Sequence, residues 1–233
     1  MKNTYSFSRL NSFDECYQMF DYNYVQGERG EANFFNEMGS LAHLVLELYD
    51  RGKIADPAKA FATGYKKRVR PHEVDWHETW YMQTFLFFLN WKGHKEDSVW
   101  IEEHNVIDYG GFKFQGYVDR MYKDEGFVIQ DYKISKPFTK KDIAKKSRQL
   151  YLYSSFVKER FGEFPTDLSF FFFRLNKKIN IKFNKRDYEE AVEWMHRTVE
   201  LIELGVKTES KDGCDYFCDS VCSFRNICEI KYG

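Results

Sequence analysis

The 233-residue sequence lacks a charge imbalance. It carries 35 Lys and Arg against 36 Asp and Glu, a formal net charge of −1. Bulk charge therefore argues neither for nor against a polyanionic partner, and only its distribution can. No apolar run is long enough to span a bilayer. The longest apolar cluster, LSFFFFRL from Leu168 to Leu175, is strand-sized. The opening residues, MKNTYSFSRL, lack the apolar centre of a secretory signal, so a cytoplasmic protein is expected. There is no G-x-x-x-x-G-K-[ST] sequence, so NTP-driven work would fall to a partner. No internal repeat or low-complexity linker is visible.

What is present is an ample core. Hydrophobic residues make up 43% of the chain and charged residues 30%, as in a globular protein of one large domain or a domain with a small appendage. Aromatics reach 19%, with 23 Phe and 16 Tyr. Such an excess fills a core or stacks on planar ligands. Five cysteines in a reducing compartment point to a metal or to free thiols rather than to disulfides.

Periodicity predicts helices over Ser8–Val25, capped at Ser8 or Ser12, then Asn33–Asp50, Asp56–Lys66 and Glu78–Trp91. The period then changes. Ser98–Asp108, Phe112–Lys123 and Gly126–Ser135 read as a three-stranded antiparallel meander, with turns at Gly110–Gly111 and Asp124–Gly126. A helix over Thr139–Phe161 follows. A strand pair, Leu168–Leu175 and Ile179–Phe183, turns at Asn176–Lys178, and a helix runs over Asn184–Leu204 with Asn184 as its cap. The tail from Lys211 is short, irregular and cysteine-rich. The order predicts a mixed α/β core with a small C-terminal lobe.

The stretch VIQDYKISK, Val128–Lys136, starts apolar and ends cationic. Asp131 and Lys133 lie two positions apart, hence on one face of a strand. Asp119, in QGYVDRMY, lies on the preceding strand, and the tight turn between the two can bring the carboxylates together. Two close carboxylates repel, and a divalent cation relieves that repulsion. A lysine beside them can hold a water. A lone D-x-K is also an ordinary surface ion pair, so the rest of the constellation matters. His43, mid-helix in MGSLAHLVLEL, offers an imidazole. Gln149 and Tyr153 share a helix face.

The ordered set SRLNSFDEC, G-S-L-A-H, G-Y-V-D-R, I-Q-D-Y-K, Q-L-Y-L-Y and a Cys-rich tail resembles the PD-(D/E)XK nucleases of the RecB type, in particular the iron–sulfur exonucleases with CRISPR-associated and phage members. The resemblance spans nearly the whole chain. It implies a restriction-endonuclease-like fold, a mixed central sheet flanked by helices, with a small Cys-rich C-terminal lobe closed by the N-terminal helix. One nuclease domain would cover residues 1–233, with 1–30 and 205–233 as the cluster lobe and 31–204 as the core.

Carried over residue by residue, the resemblance implies that His43, Asp119, Asp131 and the main-chain carbonyl of Tyr132 bind Mg²⁺ or Mn²⁺. Lys133 would position the attacking water. Gln149 and Tyr153 would support the site, with Glu102 or Glu103 as a weaker candidate behind it. The implied reaction is in-line attack on a DNA phosphodiester by an exonuclease acting on ends or single strands, in recombination, replication or repair. A helicase or recombination protein would be a possible partner. The location would be the host cytoplasm if the gene belongs to a phage. A non-catalytic DNA-binding scaffold and an endonuclease of the same fold are the alternatives.

Between Lys133 and Arg148 stand seven cations and one acid, Asp142, a local charge of +6 beside the proposed metal. Lys136, Lys140, Lys141, Lys145, Lys146 and Arg148 would meet the phosphates, and Tyr132, Phe138 and Tyr151 could stack on bases. In the tail, Cys214, Cys218, Cys222 and Cys228 fall within fifteen residues, a density that suggests a metal or cluster. The resemblance implies a [4Fe–4S] cluster on Cys16, Cys218, Cys222 and Cys228. The alternative uses Cys214 with the other tail cysteines, holding Zn²⁺. Two departures from the family pattern stand out: Tyr17 replaces the usual proline after the first cysteine, and Cys218 and Cys222 are separated by three residues rather than two.

Overall fold

The computed structural model describes residues 3–211 and 216–229. Cys214 lies outside the described residues. The chain opens with a three-residue strand, β1 (Thr4–Ser6), then α1 (Phe7–Glu15) and α2 (Tyr17–Phe20), which runs into a π-helical turn over Asp21–Val25. Next come α3 (Phe34–Asp50), α4 (Pro57–Gly64) and α5 (His77–Asn90). The meander follows as β2 (Ser98–Asp108), β3 (Lys113–Lys123) and β4 (Phe127–Tyr132). Then come α6 (Lys140–Lys146), α7 (Arg148–Phe161), β5 (Asp167–Phe172), β6 (Lys177–Lys182) and α8 (Lys185–Glu203).

The six strands form one mixed sheet. β3 is its hub: β2 pairs antiparallel along one edge, while β1 (parallel) and β4 (antiparallel) share the other. β4 pairs parallel with β5, and β5 antiparallel with β6. All six residues of β4 are buried, as befits a central strand covered on both faces. Helices supply the two covers. A first core joins the sheet to α7 and α8 through Phe114, Ile129, Leu150, Phe156, Phe170 and Met195. A second joins the other face to α3, α4 and α5 through Phe34, Met38, Leu46, Phe61, Phe88 and Phe171. This is the mixed α/β architecture the order of elements predicts.

Two predicted helices are broken. The first does not run through Cys16, whose backbone is extended (φ −163°, ψ 106°), and its cap is Ser6, which accepts from the Arg9 amide, rather than Ser8 or Ser12. The predicted Thr139–Phe161 helix divides at Ser147. Neither site contains Gly or Pro, so both breaks answer to tertiary contacts. At the first, Tyr17 N–H reaches Glu209 O (3.3 Å) and Gln18 N–H reaches Ser210 Oγ (2.8 Å). The predicted strand Leu168–Leu175 also ends early: Phe173–Leu175 form a 3₁₀ turn, and Asn176 takes φ +48° before β6.

The N-terminal segment and the tail are sewn together. Glu31 N–H donates to Ser223 O (2.7 Å), Tyr22 Oη to Ile227 O (2.8 Å), Asn33 Nδ2 to Val221 O (2.9 Å) and Thr208 Oγ1 to Phe13 O (2.6 Å). The approach is close enough that a Cβ on Gly30 would lie 2.5 Å from Ser223 Cβ. Among the described residues, no helix is long and apolar enough to cross a membrane.

Candidate active site

The β3–β4 ladder runs from Lys123↔Phe127 to Arg120↔Gln130. There the strands part, and a side chain takes over: Asp119 Oδ2 accepts the Tyr132 amide at 2.7 Å. The carboxylate thus stands where the next rung would be. Asp131 and Lys133 project together as the alternation requires, with Lys133 Nζ 2.6 Å from Asp131 Oδ2. That oxygen is buried, and beyond this ion pair it has no hydrogen bond of good geometry.

Helix α3 brings His43 over the same strand end. His43 Nε2 lies 3.1 Å from the Tyr132 carbonyl. A carbonyl only accepts, so Nε2 carries the proton. Nδ1 then faces two carboxylates, Glu102 Oε1 at 3.6 Å and Asp119 Oδ2 at 3.7 Å. Ligand atoms of His43, Glu102 and Asp119 all lie within 4.8 Å of one another. Among the described residues, the group of potential ligands that comes together is thus His43, Glu102 and Asp119, while Asp131 is held by Lys133 and the Tyr132 carbonyl by His43.

Glu102 sits across β2–β3 between the pairs Ile101↔Arg120 and Glu103↔Val118. Its φ is +47°, a conformation that costs a non-glycine residue roughly 1–3 kcal/mol and persists where function or surroundings demand it. Glu103 instead pairs with Arg160 on the surface (3.1 Å). Of the two neighbouring glutamates, Glu102 is the one at the site.

The electrostatics are those of crowded carboxylates relieved by two cations. Burial raises the Asp131 carboxyl to about 6, with Lys133 opposing and Asp119 adding to the shift. Asp119 is likewise raised by burial, with His43 opposing. Burial pulls the His43 imidazole down, but Asp119, Glu102 and Asp131 outweigh it and bring it to about 9. Lys133 is raised: burial lowers it, and Asp131 and Asp119 more than compensate.

Behind the site, α3 grips Tyr132 twice. His43 holds its carbonyl, and Asp50, seven residues on and so on the same helix face, reaches its phenol at 3.3 Å. His94 Nε2 lies 2.7 Å from that phenol and 3.3 Å from Asp50 Oδ2, with its ring parallel to that of Tyr132 (4°). Beside them Arg120, fully buried, bonds Ser98 Oγ (2.8 Å) and Glu96 O (2.6 Å). Asp50 and His94 were not singled out from sequence, and Glu102 was named only together with Glu103, as a weaker candidate behind the site. Helical spacing from His43 could have flagged Asp50; nothing local marks His94.

Gln149 Nε2 donates to Tyr153 Oη (3.1 Å) on α7. Tyr153 presses on Gly116, where a Cβ would lie 2.5 Å from its ring. The glycine in G-Y-V-D-R thus admits the helix to β3 close to Asp119.

The basic segment divides. Lys145 and Lys146 meet Glu15 (each 3.6 Å), and Lys145 and Arg148 meet Asp14 (each 3.7 Å). These three cations are largely neutralised on α1. Lys136, Lys140 and Lys141 are exposed and make no ion pair among the described residues. Two aromatics proposed to stack on bases cannot: Tyr132 and Tyr151 are 2% and 3% exposed. Tyr151 is tied to Asp187 (3.1 Å), whereas Phe138 is half-buried.

Away from these residues, Cys16, Cys218, Cys222 and Cys228 form no disulfide and line one small, mostly apolar cavity with Tyr22, Phe217 and Phe224.

The open end of the mixed sheet thus carries Asp119, Asp131 and Lys133 under a helix bearing His43. A profile of the PD-(D/E)XK nuclease superfamily matches residues 4–229, and the chain belongs to that superfamily. The crystal structure of a candidate exonuclease from Eubacterium rectale is similar in fold, at 16% identity and a TM-score of 0.51, covering 90% of this chain and 85% of that one. The protein SSO0001, 14% identical, aligns over 99% of this chain and 88% of its own with a TM-score of 0.42. No curated protein matches the sequence.

Proposed function

We propose that the protein is a divalent-metal-dependent DNA exonuclease. The observation that carries this reading is the convergence of His43 Nδ1, Glu102 and Asp119 within 4.8 Å, beside the Asp131–Lys133 pair. Carboxylate oxygens with one imidazole suit Mg²⁺ or Mn²⁺. The fit rests on the buried Asp131 oxygen, which is ion-paired to the Lys133 ammonium and has no hydrogen bond of good geometry, and on an imidazole nitrogen between two carboxylates. His43, Asp119 and Glu102 would hold the cation, with Asp131 and the Tyr132 carbonyl within reach. When bound, it would supply Lewis acidity and neutralise charge on the scissile phosphate. Lys133, released from Asp131, orients the attacking water. Gln149 and Tyr153 brace β3 at Gly116, and Lys136, Lys140 and Lys141 attract the phosphates.

A test follows cleavage of linear single and double strands labelled at each end in turn, beside a covalently closed circle. An exonuclease shortens the linear substrates from an end and leaves the circle whole. Cleavage of the circle would replace the exonuclease reading with an endonuclease.

The pH dependence of metal binding has a definite sign. Asp131 is raised from 3.8 to about 6, so the metal-free fold loses stability as pH climbs through that window. His43 is raised from 6.5 to about 9, so the stability it contributes below 6.5 is lost by about 9. A cation takes the place of those protons. Between pH 6 and 9 one displaced proton strengthens apparent Mg²⁺ affinity about tenfold per pH unit. The Mg²⁺-induced rise in Tm is therefore expected to be larger near pH 9 than near pH 6. Equal rises at both would remove His43 from the ligand set.

We further infer that Cys16, Cys218, Cys222 and Cys228 hold a [4Fe–4S] cluster. A single zinc with bonds of about 2.3 Å needs sulfurs about 3.8 Å apart. Among the described residues no three cysteine sulfurs lie within 4.8 Å of one another, although the four line one cavity. Their convergence on one cavity from the N-terminal segment and the tail is what supports this reading, and the contribution of a cluster there would be structural.

A further inference from the structure

Beside the proposed nuclease site lies an open groove of about 710 Å³ whose aromatic residues and arginine the proposed chemistry does not use. Its aromatic residues come from distant parts of the chain: Phe35 from α3, Trp76 and Trp80 from the start of α5, Phe138 from the loop after β4, and Tyr216 from the tail. The rings touch. Trp76 and Trp80 have centroids 5.5 Å apart, Phe35 lies 5.4 Å from Trp76 and 5.7 Å from Trp80, and Tyr216 lies 6.4 Å from Phe35. Yet Trp76 stays 37% exposed and Tyr216 58%. Core aromatics bury such area; these hold it open to solvent.

The cation in this groove is unusual. Arg174 is 6% exposed, and its guanidinium lies 4.1 Å over the Trp80 ring. Nε donates to the Ile134 carbonyl (2.8 Å) and Nη1 to Gln83, while Nη2 is buried without a hydrogen-bond partner. Arg174 makes no ion pair among the described residues. A buried guanidinium with no carboxylate is costly and calls for an anion. Lys136, exposed on the rim, adds a second cation. The one acid in the lining, Asp142, accepts from Thr139 Oγ1 (2.6 Å) at the start of α6.

The groove adjoins the site by chain geometry. Ser135, in its wall, follows Lys133 by two residues, about 7 Å of main chain at most. Phe35 precedes His43 by eight residues on one helix, about 12 Å along the axis. Past Arg174, a second groove of about 420 Å³ shares Gln83, Arg174 and Leu175 with the first and extends the track along α5.

We propose that this groove is a subsite for single-stranded DNA, in which an unpaired base stacks on Trp76 and an adjoining phosphate lies against Arg174, which Trp80 holds from behind. The proposal rests on the nuclease reading for the identity of the polymer. Exposed π faces accept any unpaired base and exclude bases held in a duplex, and the unpaired guanidinium selects an anionic polymer over an apolar peptide. The subsite thus favours a frayed or single-stranded end, fed toward Lys133.

The test is binding, not cleavage, so it separates the groove from the catalytic site. The full-length protein is titrated in EDTA with a fluorescein-labelled oligothymidylate and, separately, with a blunt duplex, while its oligomeric state is followed by sedimentation. Trp76→Ala is expected to weaken oligothymidylate binding about 5- to 160-fold, the range for losing one stacked base. It should leave duplex binding unchanged, and Trp76→Phe should restore most of the loss. Arg174→Lys should weaken binding too, with a melting curve to confirm that the variant is folded. Wild-type affinity in Trp76→Ala, equal losses on duplex and single strand, or no binding by the wild type overturns the proposal. So does a change of oligomeric state with binding intact, which would assign the groove to a second copy of the chain. Absence of cleavage with the binding contrast preserved would refute the nuclease reading and leave the subsite standing.

Discussion

Lys133→Ala lowers metal-dependent cleavage by about 10²–10⁴-fold, the usual cost of losing a positioned proton-handling group, and leaves the cation bound. Lys133 Nζ sits 2.6 Å from Asp131 Oδ2, so in the metal-free protein it competes with a cation for that oxygen. Removing the ammonium leaves Glu102, Asp119 and Asp131 with one fewer positive neighbour. The metal-free protein becomes less stable, because Asp131 is buried and already raised to about 6 despite its lysine. Added Mg²⁺ then raises Tm by at least as much as in the wild type. Asp131→Asn loses cleavage to the same degree, but its Mg²⁺-induced rise shrinks, because a ligand charge has gone. The two variants thus split a water-positioning role from a metal-holding one. Wild-type cleavage by Lys133→Ala would dismiss the site. A Mg²⁺ response lost equally in both variants would make Lys133 a structural counter-ion only.

Much of this geometry was legible because it depends on short-range rules. The turn at Asp124–Gly126 fixes the β3–β4 register, and that register places Asp119 opposite Asp131 without any knowledge of the helices. Period two puts Lys133 beside Asp131. Asn184 caps α8 as its position suggests, accepting the Arg186 and Asp187 amides. What the sequence hid depends on distant partners. The cations Lys145, Lys146 and Arg148 read as a free basic face because Asp14 and Glu15, which meet them, lie some 130 residues earlier. The breaks at Cys16 and Ser147 carry no Gly or Pro to announce them. Glu102 and Glu103 are indistinguishable as letters, and only the left-handed backbone at Glu102 turns that carboxylate to His43. The aromatic groove draws on positions 35, 76, 80, 138 and 216, so no window of sequence contains it. The rings that a window did suggest, Tyr132 and Tyr151, serve the core instead.

Cys16→Ser should strip the cluster and destabilise the whole protein, with the larger effect far from the active site. Cys16 occupies the extended break between α1 and α2 and is 8% exposed, whereas Cys218, Cys222 and Cys228 approach from the tail across the same cavity. A cluster bridging them closes a loop of about two hundred residues. On loop-closure grounds that restraint is worth on the order of 5 kcal/mol, equivalent to roughly 10–20 °C in Tm for a chain of this size. The hydrogen bonds between the N-terminal segment and the tail, such as Tyr22 Oη to Ile227 O and Glu31 N–H to Ser223 O, depend on the same closure. They should therefore become susceptible to proteolysis in the variant. Cys214→Ser is the matched control: it should keep both iron and stability if the bridging set is the one inferred. Anaerobically purified wild type should be brown and contain about four irons per chain. A colourless protein with one zinc per chain, or a Cys214→Ser variant that loses its metal while Cys16→Ser keeps it, would move the ligands into the tail and leave α1 held by its hydrogen bonds and ion pairs alone.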